Sequence, residues 1–352
     1  MILEHTHYMM RCIEQAKKGA GFVAPNPMVG AALVHDDRII GEGYHQQYGQ
    51  AHAEVNCIQS VKEEDKHLIQ KSTLYVSLEP CAHTGKTPPC TDLIIEHNIP
   101  KVVIGCTDIF AAVNGKGIEK LKNAGIEIIE GILEKEAMDL NKRFFTFHQQ
   151  KQPYIILKWA QSRNHKIAHA DYSRVQITND YTNRLVHRWR SDEAGIIVGT
   201  NTALQDNPSL NVRHWTGKDP IRLVVDMNLR LPNNLKIFNR EQETVIFNAT
   251  KQERKENILF YKIEKTESFV KEILKACYEM NIQSILIEGG NKLAESFINA
   301  GAWNEARVIE NTSMIINNGL RAPVLTNHHL MGNETISTDL ISYYQNNVEN
   351  SK

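Results

Sequence analysis

The residues best suited to chemistry lie in the first third of the chain: His52-Ala53-Glu54, then Ser77-Leu78-Glu79-Pro80-Cys81, then Cys90. One imidazole and two thiolates make three ligands for Zn2+. Three protein ligands leave the fourth tetrahedral position to water, as in a catalytic rather than a closed structural site. Residues two apart on a helix face different ways, so Glu54 misses a metal bound by His52 and reaches the ligated water instead. Zinc lowers the pKa of that water to about 7, and Glu54 would pass its proton to a ring nitrogen and to departing ammonia. The chemistry would be hydrolytic removal of an amino group from an amidine-type ring carbon. Each fragment alone is weak, because His-x-Glu is common and a single cysteine more often packs than ligates. The set points to a site.

Elements of the right kind surround these residues. Apolar runs at Gly30 to Val34, Thr73 to Leu78 and Val102 to Gly105 read as strands, and Ala53 to Val61, Thr91 to Glu96 and Ile118 to Ala124 as helices. Pro80-Cys81 after a strand, with His-x-Glu at a helix start upstream, is the generic signature of zinc deaminases acting on bases. That signature spaces its cysteines Cys-x-x-Cys, whereas the eight residues Ala82 to Pro89 separate Cys81 from Cys90. The alternation pauses at His148-Gln149-Gln150-Lys151-Gln152-Pro153, where Pro153 disfavours helix in the residue before it. This sets a boundary between residues 1–148 and 149–352. A second alternation follows: strands at Tyr154 to Trp159, Gly195 to Gly199, Ile221 to Asp226, Thr244 to Asn248 and Ser284 to Glu288, with helices at Tyr181 to Arg190, Phe269 to Met280 and Leu293 to Ala300. Both halves are α/β. The tail from Gln345 onward is polar and expected to fray.

Composition narrows the function classes. A chain of 352 residues suggests two domains at about 100–200 residues each. Hydrophobic residues make up 41% and charged residues 23%, values that fit folded cores rather than disorder. Forty basic against forty-one acidic side chains leave no global field to attract nucleic acid or an anionic membrane. Met1 to Ala20 carries Glu4, Arg11, Glu14, Lys17 and Lys18 among its apolar residues, so it reads as an amphipathic helix and not as a signal peptide. No run approaches the roughly 20 apolar residues of a membrane span, and a cytoplasmic location is expected. Six cysteines in so long a chain do not make a disulfide framework.

The stretch Glu79-Pro80-Cys81-Ala82-His83-Thr84-Gly85-Lys86-Thr87-Pro88-Pro89-Cys90 closely resembles the deaminase half of the bifunctional riboflavin biosynthesis deaminase/reductase family. Pro25-Asn26-Pro27-Met28-Val29-Gly30, Gly41-Glu42-Gly43-Tyr44-His45 and His52-Ala53-Glu54-Val55 resemble it in order and spacing too. The resemblance implies a cytidine-deaminase-like three-layer domain whose pocket takes a diaminopyrimidinone bearing a ribose 5-phosphate. It makes Asn26, His83, Lys86, Thr87, Asp108 and Asn114 candidate substrate contacts. Where the family has Asp-Pro, this chain has Asp108-Ile109, while Gly115-Lys116-Gly117 keeps the following Gly-x-Gly.

The second half has no Gly-x-Gly-x-x-Gly after a strand, so the common dinucleotide fingerprint is missing. Its one hint is the strand Ser284-Ile285-Leu286-Ile287 running into Glu288-Gly289-Gly290-Asn291 and a helix, a turn whose backbone amides could hold a phosphate. As a bare pattern an ordinary tight turn explains it as well. His187-Arg188-Trp189-Arg190 and Gly199 through Arg213 resemble the family's reductase half, which implies a dihydrofolate-reductase-like fold, NADPH as cofactor and a homodimer. By position, Ala160, Gln176, Thr202, Asp206, Gly289, Gly290, Asn291, Lys292 and Leu293 match cofactor-contacting residues, and Lys158, Arg174, Arg190, Leu210, Arg213 and Glu288 match substrate-contacting ones. Two arginines suit a phosphorylated substrate, since the guanidinium fork pairs with phosphate oxygens. Departures cluster after the boundary. The family's Ser-Leu-Asp-Gly-Lys is here Ser162-Arg163-Asn164-His165-Lys166, and its tryptophan before Ile-Thr is Gln176.

The resemblance implies deamination of a diaminopyrimidinone ribosyl phosphate followed by NADPH reduction of its ribosyl group. Three alternatives stand beside it: a tRNA or DNA base deaminase with an accessory domain, a deaminase whose reductase half is only a scaffold, and a zinc-stabilised binding module. Neutral charge and the long cysteine loop weigh against the first. Zinc removal separates the last, since it would unfold a structural module but only inactivate an enzyme.

Overall fold

A computed structural model describes residues 2–84, 88–109, 115–171, 173, 175–264 and 269–347. The chain divides into two compact units, Met1–Lys151 and Gln152–Lys352.

The first unit runs α1 (Ile2–Lys17), β1 (Gly30–His35), β2 (Arg38–Tyr44), α2 (Ala53–Gln59), β3 (Thr73–Leu78), α3 (Cys90–Glu96), β4 (Lys101–Cys106), α4 (Lys116–Asn123), β5 (Glu127–Ile129), α5 (Glu134–Leu140) and α6 (Lys142–Gln150). Its sheet has the order β2-β1-β3-β4-β5. β1 pairs antiparallel with β2 and β3, and β3, β4 and β5 run parallel. Alternate strand residues feed two cores, as the period of two requires. Leu33, Leu74, Val76 and Ile104 meet Cys57, Ile58, Ile94 and Leu121 on one face. Val34, Tyr75 and Val103 meet Met9, Ile13, Ala137 and Phe145 on the other. The result is helix, sheet, helix, the three layers expected.

The second unit contains β6 (Tyr154–Ser162), β7 (Lys166–His169), α7 (Asp180–Asp192), β8 (Gly195–Gly199), α8 (Thr200–Asp206), β9 (Ile221–Val225), β10 (Thr244–Asn248), β11 (Glu253–Lys255), β12 (Ile258–Lys262), α9 (Phe269–Glu279), β13 (Ser284–Glu288), α10 (Asn291–Asn299), β14 (Glu305–Asn311), β15 (Gly319–Arg321), β16 (His328–Ile336) and β17 (Asp339–Asn346). Ten strands form one sheet in the order β11-β12-β10-β9-β8-β13-β6-β14-β17-β16, and β15 pairs with β7. Every residue of β13 is buried, because a parallel strand covered on both faces needs apolar side chains on both. α7 begins at Asn179, whose side chain accepts the Thr182 N–H at 3.0 Å and so caps the first turn.

The division falls three residues beyond the one read from sequence. The polar stretch His148-Gln149-Gln150 is the last turn of α6, and the chain breaks only at Lys151, whose φ of 54° is left-handed. A second difference is at the tail, where Gln345 and Asn346 belong to β17 and pair with Glu305 and His328 respectively. Asn346 is buried, and its polarity is used in bonds from Nδ2 to the Gly301 and Trp303 carbonyls at 3.3 and 2.8 Å. Residues 348–352 lie outside the described ones.

Each half has its own core, so chains 1–151 and 152–352 expressed separately are expected to unfold cooperatively on heating. Calorimetry checks this; a soluble half with no cooperative transition would show that it depends on the other.

Candidate active sites

The first site gathers at the carboxyl end of β3. Cys81 follows that strand by three residues, Cys90 opens α3 directly after Pro89, and His52 is the extended residue before α2. The ligand atoms of His52, Cys81 and Cys90 all lie within 4.8 Å of one another, the only such group among the described residues. His52 Nδ1 stands 3.3 Å from Cys90 Sγ and 3.6 Å from Cys81 Sγ. Tetrahedral zinc, with bonds of about 2.0–2.3 Å, separates nitrogen from sulfur by about 3.6 Å. The donor set and its spacing therefore fit zinc, with Nδ1 as the imidazole ligand. The Cys81 thiol is brought down to about 4 by the hydrogen bond from Cys90, against its burial, with help from His52. Cys90 is raised by the adjacent Cys81 sulfur and by burial.

Glu54 occupies the first turn of α2 and is buried. Burial raises its carboxyl to about 7, with the Cys81 charge adding to the rise and His52 opposing it. His52 precedes the helix in extended conformation, so the two side chains leave the backbone from different conformations rather than from two faces of one helix.

Asn26 joins this group through a residue that the sequence reading quoted but did not assign. Its Nδ2 donates to His45 Nε2 at 3.2 Å, while His45 Nδ1 faces the Ala51 carbonyl at 3.0 Å, and the His45 ring meets His52 edge-on with centroids 5.4 Å apart. The donor from Asn26 and the carbonyl at Nδ1 together put the His45 proton on Nδ1. Asp108 is buried beyond β4, and His83 is exposed. Lys86, Thr87 and Asn114 lie outside the described residues. Glu79 also escaped the sequence reading: its carboxylate accepts backbone N–H groups from Asp108, Gly115, Gly117 and Ile118. Backbone donors leave no residue-type pattern by which to find such a group.

In the second unit, Glu288 ends β13 directly opposite Lys158 on β6. Arg190 on α7 grips both oxygens of Glu288, Nε to Oε1 at 2.7 Å and Nη2 to Oε2 at 2.8 Å, and Lys158 Nζ lies 3.4 Å from Oε2. Burial pushes the Glu288 carboxyl up, but Arg190 and Lys158 outweigh it and hold it at about 2. The fork of Arg190 is thus taken by Glu288, and its Nη1 donates to the Asn211 carbonyl at 3.2 Å. This corrects the expectation that both arginines offer that fork to phosphate. Arg213 is exposed, with Nη1 donating to Asn211 Oδ1 at 2.6 Å.

The turn after Glu288 fits a phosphate-bearing cofactor. Gly289 has φ 96°, and a Cβ there would lie 2.7 Å from Thr202 Cγ2, so Thr202 rests against bare backbone. Asn291 Oδ1 is buried with no hydrogen-bond partner, and α10 starts at that residue. Leu293 is buried on α10, Leu210 is buried with φ 53°, Ala160 is half-buried on the Lys158 face of β6, and Asp206 and Lys292 are exposed. Gln176 is exposed and bonds locally to the Thr178 carbonyl at 3.4 Å. Arg174 lies outside the described residues. Trp159 is in the core, its Nε1 donating to Gln161 Oε1 at 2.9 Å, and alternation keeps it off the Lys158 face. It does not replace an indole at position 176.

The altered Ser162–Lys166 turn has its own bonding. His165, where the family has glycine, sits at φ 57°, a region in which histidine is more tolerated than most residues. Its Nδ1 accepts from Gln161 Nε2 at 2.9 Å. Asn164 exchanges bonds with both backbone groups of Ile316, 3.0 and 3.1 Å. On α7, one turn before Arg190, buried His187 accepts the Arg213 N–H on Nδ1 at 3.0 Å. Burial and then the charges of Arg190, Arg213 and His214 lower His187 to about 4, Glu288 opposing them.

Comparison with known proteins places a deaminase-type region and a reductase-type domain in the two halves. A family model for the cytidine and deoxycytidylate deaminase zinc-binding region matches residues 3–106, and one for the RibD C-terminal domain matches residues 153–315. The riboflavin biosynthesis protein RibD of Aquifex aeolicus is 40% identical over 303 residues, covering 85% of this chain and 84% of the relative. RibD of Escherichia coli is 33% identical over 322 residues, covering 86% of each. The crystal structure of a diaminohydroxyphosphoribosylaminopyrimidine deaminase/5-amino-6-(5-phosphoribosylamino)uracil reductase from Thermotoga maritima superposes with a TM-score of 0.90 at 35% identity, covering 98% of this chain and 99% of that one. Among the described residues no helix is long and apolar enough to cross a membrane.

Two expectations follow from the geometry. The substitutions His52→Ala, Cys81→Ser and Cys90→Ser should each lower zinc content by metal analysis, whereas Glu54→Gln should keep the metal and lose deamination by about 100- to 10,000-fold. Full zinc in the three ligand variants, or loss of it in Glu54→Gln, contradicts the assignment. His187 concerns stability. The unfolded chain takes up a proton near the ordinary value of 6.5 while the folded site resists until about 4, so its contribution is complete above pH 6.5 and is lost as pH falls toward 4. His187→Asn, which keeps an acceptor but cannot titrate, should flatten this part of the Tm profile. Parallel profiles for the two proteins would rule the histidine out.

Proposed function

Because this chain belongs to the RibD family of riboflavin biosynthesis proteins, we propose that its units act in succession on one phosphorylated pyrimidine. The first deaminates 2,5-diamino-6-(ribosylamino)pyrimidinone 5'-phosphate, and the second reduces the resulting 5-amino-6-(5-phosphoribosylamino)uracil to the ribitylamino product. The observation that carries this reading is the convergence of His52, Cys81 and Cys90 within 4.8 Å, with the carboxyl of Glu54 buried beside them, near enough for Cys90, Cys81 and His52 all to act on it.

His52, Cys81 and Cys90 would hold zinc, which when bound would supply the Lewis acidity that activates a water at neutral pH. Glu54 would orient that water and carry its first proton to the ring nitrogen, then carry the second, from the hydroxyl added to the ring carbon, to the amine that leaves as ammonia. Burial favours its protonated form and a neighbouring cation its ionised form, so one carboxylate can work in both directions. Asn26, oriented by its bond to His45, is suited to hold the pyrimidine, and Asp108, His83, Lys86, Thr87 and Asn114 complete the substrate set on the family pattern.

In the second unit the cofactor, NADPH, would when bound supply the hydride that reduces C1 of the sugar in its open imine form. Lys158 and Arg190 around Glu288 leave one net positive charge facing an anionic substrate. Arg213, on the loop after Leu210, is suited to the phosphate. The Gly289-Gly290-Asn291 turn, with Thr202 against it, offers the start of α10 to a cofactor phosphate. The Lys158–Glu288–Arg190 cluster favours an active reductase over a scaffold, since a spare domain has no need for three buried charges. The same family reading carries a cytoplasmic homodimer.

Incubation with the diaminopyrimidinone substrate, with and without NADPH, and resolution of the products by mass tests both steps. The deaminated compound is expected without NADPH and the reduced one with it. Deamination without NADPH oxidation, in well-folded protein, would leave the second unit as a scaffold.

A further inference from the structure

We propose that Glu79 is a positioning residue for deamination, holding the segment that carries Asp108 and the start of α4 against the strand end that bears Cys81. The proposal rests on the functional reading above.

Glu79 is 4% exposed and lies two residues before Cys81. Its Oε2 accepts the N–H of Asp108 at 3.1 Å and of Gly115 at 3.0 Å, and its Oε1 accepts those of Gly117 at 2.9 Å and Ile118 at 3.2 Å. Its own N–H donates to the Cys106 carbonyl at 3.0 Å, at the end of β4. One side chain thus fixes the backbone on both sides of residues 110–114. The first amides of a helix need acceptors, ordinarily from a residue at its own start. Gly115, the residue before α4, has no side chain to offer, and the helix start takes a carboxylate from the metal-ligand loop instead. A negative charge is favoured at that end of a helix.

An independent contact fixes the same backbone. A Cβ on Gly117 would lie 2.0 Å from the Pro80 carbonyl oxygen, so α4 touches the residue between Glu79 and Cys81 directly. The close approach requires glycine at 117, while Gly115 is suited to its φ of 79°. A fold that needed only to cap α4 could do so locally. Anchoring it on Glu79-Pro80 ties Asp108 and the helix start to the metal ligand itself, so that the distance between the reacting centre and a substrate contact is set by one carboxylate.

The test uses the full-length zinc-loaded protein. Glu79→Gln leaves one oxygen for four donors and turns an NH2 toward two of them. It should keep its zinc and its reductase rate, while the deaminase KM rises about tenfold and kcat changes little, the signature of lost binding rather than lost chemistry. Gly117→Ala keeps the carboxylate but displaces the same backbone from Pro80, its Cβ also falling 3.1 Å from Glu79 Oε1, and should move KM in the same direction. Hydrogen exchange should show Gly117 and Ile118 losing protection in Glu79→Gln. A role limited to stability would lower the active fraction, and so apparent kcat, at unchanged KM, and that result in both variants overturns the proposal. Loss of zinc in Glu79→Gln also overturns it, by making Glu79 a support for Cys81. Should Glu79→Gln fail to fold, Gly117→Ala decides alone. A wild-type chain that releases no ammonia from the substrate overturns the functional reading instead.

Discussion

A carboxylate taken out of water must be met by donors, and each unit is arranged around one such group at the carboxyl end of a central parallel strand. Glu79 follows β3 and Glu288 ends β13, the positions at which open α/β sheets place their ligand sites. The two are answered differently. Four amides meet Glu79, so what it fixes is backbone. Two cations meet Glu288, so what it fixes is charge: Lys158 and Arg190 are held with one positive charge in excess. Removing one partner from a buried ion pair costs about 3–5 kcal/mol, which ties α7, β6 and β13 together wherever the reductase chemistry needs them.

The metal-binding set was legible because it is a matter of residue types. A histidine, two cysteines and a glutamate near strand and helix boundaries constrain each other strongly, and the structure brings three of them within ligand distance. The buried strands were legible for a similar reason, since Ser284 to Glu288 and Gly195 to Gly199 are short apolar runs with burial on both faces. What sequence did not disclose are bonds to backbone. Nothing in the letters says that Glu79 reaches Gly117, that His187 accepts the Arg213 amide, or that His45 meets the Ala51 carbonyl. β16 escaped for the opposite reason, because a largely exposed strand with partners on one side only carries no apolar pattern.

The turn between β6 and β7 shows how a departure from a family pattern is accommodated. Replacing a glycine with His165 forces a side chain into the left-handed region, and replacing an aspartate with Asn164 removes a charge. Asn164 then uses both ends of its amide on Ile316, a pairing a carboxylate could not complete, and His165 accepts from Gln161, which also accepts from Trp159. The two residues are met separately, Asn164 by the loop between β14 and β15 and His165 by Gln161 on β6.

The order of strands in the second unit has a consequence for how the chain assembles. β6 comes first in sequence, yet its two neighbours come near the end: Tyr154 pairs with Ser284, and Ile156 with Glu305. In the first unit the parallel ladder joins Thr73 to Lys101 and Lys101 to Glu127. Distant pairings close slowly, and domains on a growing chain form from the amino end. The first sheet can therefore be complete while the second lacks its centre, and until synthesis passes Asn311 the apolar side chains of Ile155, Leu157 and Trp159 wait without the strands that will flank them. That interval, rather than the finished protein, is when a nascent chain of this topology has most need of a chaperone.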